Sequence, residues 1–214
     1  MSTVLIIGAT SPTAQAFIDL MATDYSEINL KLFVRNPAKL TDQQRQNYTV
    51  VVGDASSYDD YVTALDGVDY IYDSVGGMNT LNFTPTLLKA IKDSGAQIKH
   101  IADISAGGIY GEYKSGVRPY LSAVRYMYPK YTKDQLNKVA WFTDSGIDFT
   151  IFRPGLIMDG PETQVITHTP EFRDIRSDEF PINRSTFARA AANSLFKGYY
   201  LNQSVSVSNG EPLK

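Results

Sequence analysis

Thr3-Val4-Leu5-Ile6-Ile7 runs without a break into Gly8-Ala9-Thr10-Ser11-Pro12-Thr13-Ala14. A β-branched, apolar run closed by a glycine predicts a buried strand and a tight turn, and Ser-Pro immediately after it predicts the cap and first residue of a helix. This opening constrains the chain more than any other stretch, because strand, turn and helix in that order lead to a parallel neighbour strand and an α/β layer structure. The turn also resembles a phosphate-binding one. Three glycines usually serve there, for the turn, for close approach of a pyrophosphate and for helix packing. Here Gly8 keeps the first place, Ser11 takes the second and Ala14 the third. Alanine is an accepted substitute, whereas Ser11 adopts positive φ less readily than glycine, although its hydroxyl can donate to a phosphate. Thr10, Ser11, Pro12 and Thr13 are therefore expected to carry an anion on the helix N-terminus. The alternative is a strand-to-helix turn that binds nothing.

Strand and helix signals alternate through the first half. Ile28–Val34 predicts a second strand ending at Arg35-Asn36-Pro37. A dinucleotide lacking a 2′-phosphate normally meets an acid at that strand tip. Arg35 stands there instead, followed by Lys39, so the tip suits a 2′-phosphate and NADP(H) is favoured over NAD(H). The third strand exits at Gly53-Asp54, where Asp54 falls near an adenine or simply forms a turn. A helix over Tyr58–Leu65 follows, then a fourth strand over Val68–Val75 leading to Gly76-Gly77, where the backbone can pass close to a ligand. A helix over Asn82–Ser94 precedes a fifth strand, Ile98–Ser105. The expected fold is a single Rossmann-like, doubly wound domain over 1–214, its mostly parallel sheet covered by helices on both faces.

The second half is less regular. Ile109–Tyr131, rich in tyrosine, reads as a long active-site loop with some irregular helix, and Thr132–Thr143 as a helix burying Trp141 and Phe142. Ile147–Phe152 is a sixth strand running into Arg153-Pro154-Gly155, with Arg153 either a ligand group or a buried partner to a carboxylate. Leu156–Asn183 shows little periodicity, and 156–183 with 199–214 is expected to form a small substrate or lid portion. Arg184–Lys197 is a final amphipathic helix and Ser204–Ser208 an alternating strand.

Composition narrows the function. A net charge of −3 argues against a nucleic-acid surface, and zero cysteines with two distant histidines exclude thiolate chemistry and argue against a metal centre. No apolar run approaches membrane-spanning length and no signal segment precedes the first strand, so a soluble, cytoplasmic protein acting on a small molecule is expected, as monomer or homodimer.

The stretches Val4–Thr10, Val34–Pro37, Val52–Asp54, Asp66–Asp69, Ser145–Gly155 and Ile182–Arg184 occur in an order that resembles atypical short-chain dehydrogenase/reductases, closest to the small NAD(P)H-binding, NmrA-like branch. The resemblance spans nearly the whole chain. It implies that Thr10–Thr13 contact the pyrophosphate, Arg35 the adenosine phosphate, Asp54 the adenine, Gly76 and Gly77 the ribose side, and Pro154, Gly155 and Ile157 the nicotinamide. In the wider family a Ser, a Tyr and a Lys four residues after the Tyr act together, the Lys lowering the phenol's pKa. Ser105 matches the serine, and the Tyr–Lys pair falls on Tyr131 and Gln135, so the cation is missing. Tyr110 with Lys114 and Tyr126 with Lys130 repeat the spacing, though Pro129 argues against a regular helix through the latter. Ser105, Tyr131 and Tyr110 are the catalytic candidates. The resemblance implies an NAD(P)H-dependent oxidoreductase reducing a quinone, flavin or carbonyl compound, or alternatively a non-catalytic NADP(H)-binding redox sensor.

Overall fold

The computed structural model describes residues 1–76, 83–112, 126–169 and 181–213. Among these residues ten strands run β1 (Thr3–Ile7), β2 (Asn29–Val34), β3 (Thr49–Val52), β4 (Tyr70–Asp73), β5 (His100–Ile104), β6 (Phe149–Pro154), β7 (Leu156–Met158), β8 (Thr163–His168), β9 (Pro181–Asn183) and β10 (Gln203–Pro212). The α-helices are α1 (Pro12–Asp24), α2 (Asp42–Asn47), α3 (Tyr58–Ala64), α4 (Thr84–Ser94), α5 (Pro129–Ser145) and α6 (Arg184–Lys197). Eight strands form one sheet in the order β3-β2-β1-β4-β5-β6-β10-β8, parallel except for the edge strand β8, which is antiparallel to β10. The order reverses direction between β1 and β4. That is the switch point at which the carboxyl ends of an open parallel sheet leave a crevice.

Alternating side chains sort the core into two layers. Ile6, Tyr72, Phe152 and Val205 face α1 and α6, meeting Phe17, Met21 and Phe187. Phe17 stacks on Tyr72 at 4.3 Å, and the alanines at 188, 190, 191 and 192 bury a helix face with little bulk. Leu5, Ile7, Ile71, Ile101 and Ile151 face α3, α4 and α5, with Tyr61, Leu87 and Phe142 closing that side.

The first half follows the alternation read from the sequence, with the addition of α2. Its six polar residues have no apolar period; a Thr41–Gln44 capping box and a bond from Gln44 to Gln15 on α1 hold it in place. Four expectations are corrected in the second half of the chain. Helix α5 begins at Pro129, so Tyr131 lies on a helix rather than in a loop, with Pro129 serving as its first residue. The segment 156–183 contains β7 and β9, which pair with each other, and β8, which extends the main sheet. Strand β10 is longer than Ser204–Ser208 and lies inside the sheet. Phe142 is fully buried, whereas Trp141 is only half-buried.

His100 begins β5, buried, with Nε2 3.0 Å from Thr150 Oγ1. Burial pushes its pKa down from 6.5 to about 4. Above pH 6.5 the ring is neutral folded and unfolded; between 6.5 and about 4 only the unfolded chain takes up the proton, so stability falls with pH. Urea unfolding at pH 7 and pH 4 should show wild type losing roughly 3 kcal/mol more than His100→Gln over that interval.

Candidate functional site

Gly8 turns the chain out of β1 at φ +73°, and a Cβ there would meet Val75 Cγ2 at 3.0 Å and Ser74 Oγ at 3.1 Å. Both neighbours belong to the exit of β4, so the two central strands leave the sheet in contact. The Ser74 hydroxyl donates to the Ile7 carbonyl at 2.8 Å and accepts from Ser11 Oγ at 3.0 Å. Ser11 is the cap of α1, its Oγ accepting from the Ala14 amide at 3.0 Å, and its φ of −70° is ordinary for any residue. The serine at the second glycine place is therefore unstrained. Its hydroxyl proton is committed to Ser74, however, so the expected donation to a phosphate passes to other groups. Pro12, the first helical residue, brings no N–H. Among the described residues the amides of Thr10 and Thr13 have no partner, which leaves two donors at the positive end of the helix.

A cleft of about 710 Å³ opens beside this turn. It brings together Gly8, Thr10, Ser11, Arg35, Asp54 and Gly76, six of the twelve residues expected to bind a cofactor. Arg35 and Lys39 both line it, exposed, and neither has an ion-pair partner among the described residues. Asp54 accepts from the Ser56 amide at 2.8 Å and the Ser56 hydroxyl at 2.7 Å, and these bonds, with Arg35 adding a smaller effect, hold its carboxyl below the usual range. Pro12 and Thr13 form the first turn of α1 and are not part of the cleft wall. Pro154 ends β6, its carbonyl accepting from Gly107 at 2.9 Å, and Ile157 sits on β7 opposite Ile182. Gly155 lies between them, and Gly77 lies outside the described residues. The fit to a dinucleotide is good: free helix-terminal donors, a glycine exit at Gly76 with open space above it, and unpaired cations at the far end.

Ser105 follows β5, its amide bonded to the Phe152 carbonyl at 2.7 Å and its buried Oγ without a partner among the described residues. Helix α5 turns Thr132, Gln135, Lys138 and Phe142 toward the sheet. Lys138 Nζ lies 2.6 Å from Asp103 Oδ1 and 3.4 Å from the Ile104 carbonyl. Ser105 is two residues further along the strand than Asp103, and Gln135 one turn back along the helix from Lys138. Gln135 Oε1 and Thr132 Oγ1 are, like Ser105 Oγ, buried without a partner among the described residues. Tyr131 shares this helix, and burial, with the Asp103 charge adding to it, pushes its phenol up to about 12. The logic expected from the resemblance is thus inverted: among the described residues no lysine lowers this phenol, and a carboxylate raises it.

Tyr110 is placed differently. Its ring lies 4.8 Å from the Arg153 guanidinium, and its amide donates to Glu112 Oε2 at 2.9 Å. Glu112 and Arg153 form a fully buried ion pair, and Arg153 Nε also donates to Ser204 Oγ at 3.1 Å. Of the two roles open to Arg153, the buried partner to a carboxylate is the one observed. Lys114 lies outside the described residues, and Tyr126 is exposed, three residues before α5. Sequence reading missed Asp73, Asp103 and Lys138. The signals were present: an aspartate interrupting each of two apolar strands, and a lysine seven residues after Tyr131, on its helical face.

A family model described as NAD(P)H-binding matches residues 8–197. The chain belongs to the NAD(P)H-binding family. No curated protein sequence is significantly similar to it. Its fold is shared with a short-chain dehydrogenase/reductase from Veillonella parvula solved with NADP, at 16% identity and a TM-score of 0.79 over 97% of this chain and 94% of that one. ChuY, an anaerobillin reductase from Escherichia coli O157:H7, superposes with a TM-score of 0.75 at 18% identity over 100% and 99% of the two chains. The oxidoreductase ylbE from Lactococcus lactis gives 0.75 at 16% identity over 98% and 92%. Among the described residues of this NAD(P)H-binding domain, no group of three His, Cys, Asp or Glu side chains is placed to hold a metal ion, and no helix is long and apolar enough to cross a membrane.

Removing Glu112 strands a buried guanidinium. Glu112→Ala is expected to cost about 3–5 kcal/mol of stability, measured by denaturant unfolding, while Arg35→Ala, at an exposed cation, should change it by less than about 0.5 kcal/mol.

Proposed function

We propose that the protein is an NAD(P)H-dependent oxidoreductase that favours NADP(H) and reduces a small acceptor, a quinone, flavin or carbonyl compound. The observation that carries the cofactor preference is the pair Arg35 and Lys39, exposed on the cleft wall with no ion-pair partner among the described residues, while the nearby acid Asp54 accepts two hydrogen bonds from Ser56. A 2′-phosphate would meet two cations there, with Arg35 able to bind it through two N–H groups. Thr10 and Thr13 would hold the pyrophosphate through their amides, and Gly76 and Gly77 would let the chain pass the ribose. Pro154, Gly155 and Ile157 would border the nicotinamide end.

A bound reduced cofactor supplies a hydride; the chain's task is to orient the acceptor, exclude water and handle one proton. Ser105 Oγ, buried and unpartnered, would bond the acceptor's polar atom. Tyr131, whose phenol stays protonated across the physiological range, serves as a neutral donor or pocket wall rather than a base. Such a site suits acceptors that need little acid–base assistance. We place Tyr110 in support of Arg153, and its catalytic candidacy is the weaker of the two tyrosines'. The absence of cysteine fits a cytoplasmic setting.

A second reading, a non-catalytic NADP(H) sensor, is favoured by the sequestration of Lys138 on Asp103, which leaves the phenol of Tyr131 without a lysine partner among the described residues. Turnover separates the two. In calorimetric titrations NADPH should bind at least tenfold more tightly than NADH, and Arg35→Ala should remove most of that difference while leaving NADH affinity nearly unchanged. Equal affinities in wild type would remove the 2′-phosphate role, and NADPH oxidation with any of the three acceptor classes would decide against the sensor.

A further inference from the structure

Between the sheet and α5, beneath the carboxyl ends of β4 and β5, lies a group of ionisable side chains that hydride chemistry has not yet used. Asp73 and Asp103 are register partners on adjacent parallel strands and occupy the same face as Ile71 and Ile101, two residues before each of them, while Tyr72 and Ala102 between them point to the opposite face. Both are buried, at 5% and 0% exposure. Among the described residues one cation meets them: the Lys138 ammonium, itself buried, on Asp103. Two carboxylates against one ammonium leave an uncompensated negative charge out of water, and binding a proton is the least costly remedy. The hydrogen bonds point the same way. Asp103 Oδ1 is taken by Lys138 and Asp73 Oδ1 accepts from the Val75 amide at 2.9 Å, while Asp103 Oδ2 is buried with no partner among the described residues. A proton on one of the two neighbouring carboxyls removes the excess charge that this arrangement leaves buried.

The other elements around the group contribute Tyr61 from α3 and Tyr131 from α5, both phenols held protonated by burial and the acids; Asp54 acts on Tyr61 from the cleft side. None of these brings a second cation. Burial, with the Asp103 charge next in effect, pushes Asp73 up to about 7, where a proton exchanges readily at physiological pH.

We propose that Asp73, Asp103 and Lys138 form a one-proton store whose occupancy is linked to the charge of the nucleotide bound above it. The proposal rests on the reading of the cleft as an NAD(P)H site. With the adenosine end fixed at Arg35 beyond β2, a dinucleotide lying across the switch point brings its other end over β4 and β5. Asp73 leads directly into Ser74, Val75 and Gly76 of the cleft wall, and Asp103 into Ser105. A positively charged oxidised ring above the store favours its doubly ionised form, and a neutral reduced ring favours the protonated form. Reduction of an acceptor consumes one proton with each hydride, and the store releases one as positive charge appears above it, to be refilled from water. Asp73 is thus a positioning residue for a proton, with no contact to the acceptor required.

The test is calorimetric titration of the full chain with NADP⁺ and with NADPH between pH 6 and pH 8, in two buffers of different ionisation enthalpy. NADP⁺ binding should release more proton at neutral pH than NADPH binding does, any release from the 2′-phosphate being common to both. The ratio of the NADP⁺ to the NADPH dissociation constant should fall about five- to tenfold from pH 6 to pH 8, the 2′-phosphate being common to both and cancelling. Asp73→Asn should make the ratio independent of pH. Should that variant not fold, carbon-13 carboxyl spectra of the wild type take its place: one buried aspartate should titrate near neutrality, and NADP⁺ should lower its midpoint. Binding of both nucleotides with a pH-independent ratio and equal proton release overturns the store and leaves the cleft standing. Failure of either nucleotide to bind overturns the reading of the cleft, and the store with it.

Discussion

The turn at Gly8 and the exit of β4 occupy the same few ångströms, and much of the molecule is arranged to permit that approach. Gly8 must lack a side chain because Val75 and Ser74 stand where its Cβ would go, and because its φ is positive. Ser74 fills the corner with its hydroxyl, tying the Ile7 carbonyl to the cap of α1 through Ser11. The first helix, the two central strands and the open end of the sheet are thereby fixed to one another by a chain of two serine hydroxyls. The usual second glycine becomes unnecessary, since Ser11 keeps an ordinary backbone and its hydroxyl bridges to β4.

From that junction the two ends of the site differ in how charge is treated. At the outer end, beyond β2, Arg35 and Lys39 stand in solvent with their charges unspent, which suits recognition of a mobile anion. Toward β5 charge is withdrawn from solvent: Lys138 is committed to Asp103, Arg153 to Glu112, and the phenol of Tyr131 is raised rather than lowered. Buried pairs of this kind hold geometry and proton count rather than supply net stability. Gln135, four residues after Tyr131 on α5, stands where the serine–tyrosine–lysine pattern expected from the resemblance would place a lysine.

The sequence made the architecture readable because the first five strands of the sheet are apolar runs and their helices are capped or punctuated by Ser, Gly and Pro. Gly8, Arg35 and Asp54 were legible for the same reason, since their place at strand ends follows from the strands alone. What could not be read depended on non-local company. Strands β7, β8 and β9 are short and take their partners from distant segments, so 156–183 has no local signature. Pro129 argued against a regular helix from Tyr126 through Lys130, and the helix does start at Pro129; that it begins there rather than at Thr132, and so carries Tyr131, was not read. Glu112 pairs with Arg153 across 41 positions, and Asp73 meets Asp103 and Lys138 only once three elements are assembled. An aspartate inside a buried strand was the visible trace, but its partners were not.

The central claim is that the cleft beside Gly8 is a nucleotide site with its phosphate-selective end at Arg35, and a crystal structure grown with NADPH tests it most directly. The account predicts the pyrophosphate against the Thr10 and Thr13 amides, the adenosine phosphate between Arg35 and Lys39, and the nicotinamide over Asp73 and Ser105. A nucleotide bound elsewhere, or seated with its adenosine phosphate away from Arg35 and its ring away from β4 and β5, would contradict it.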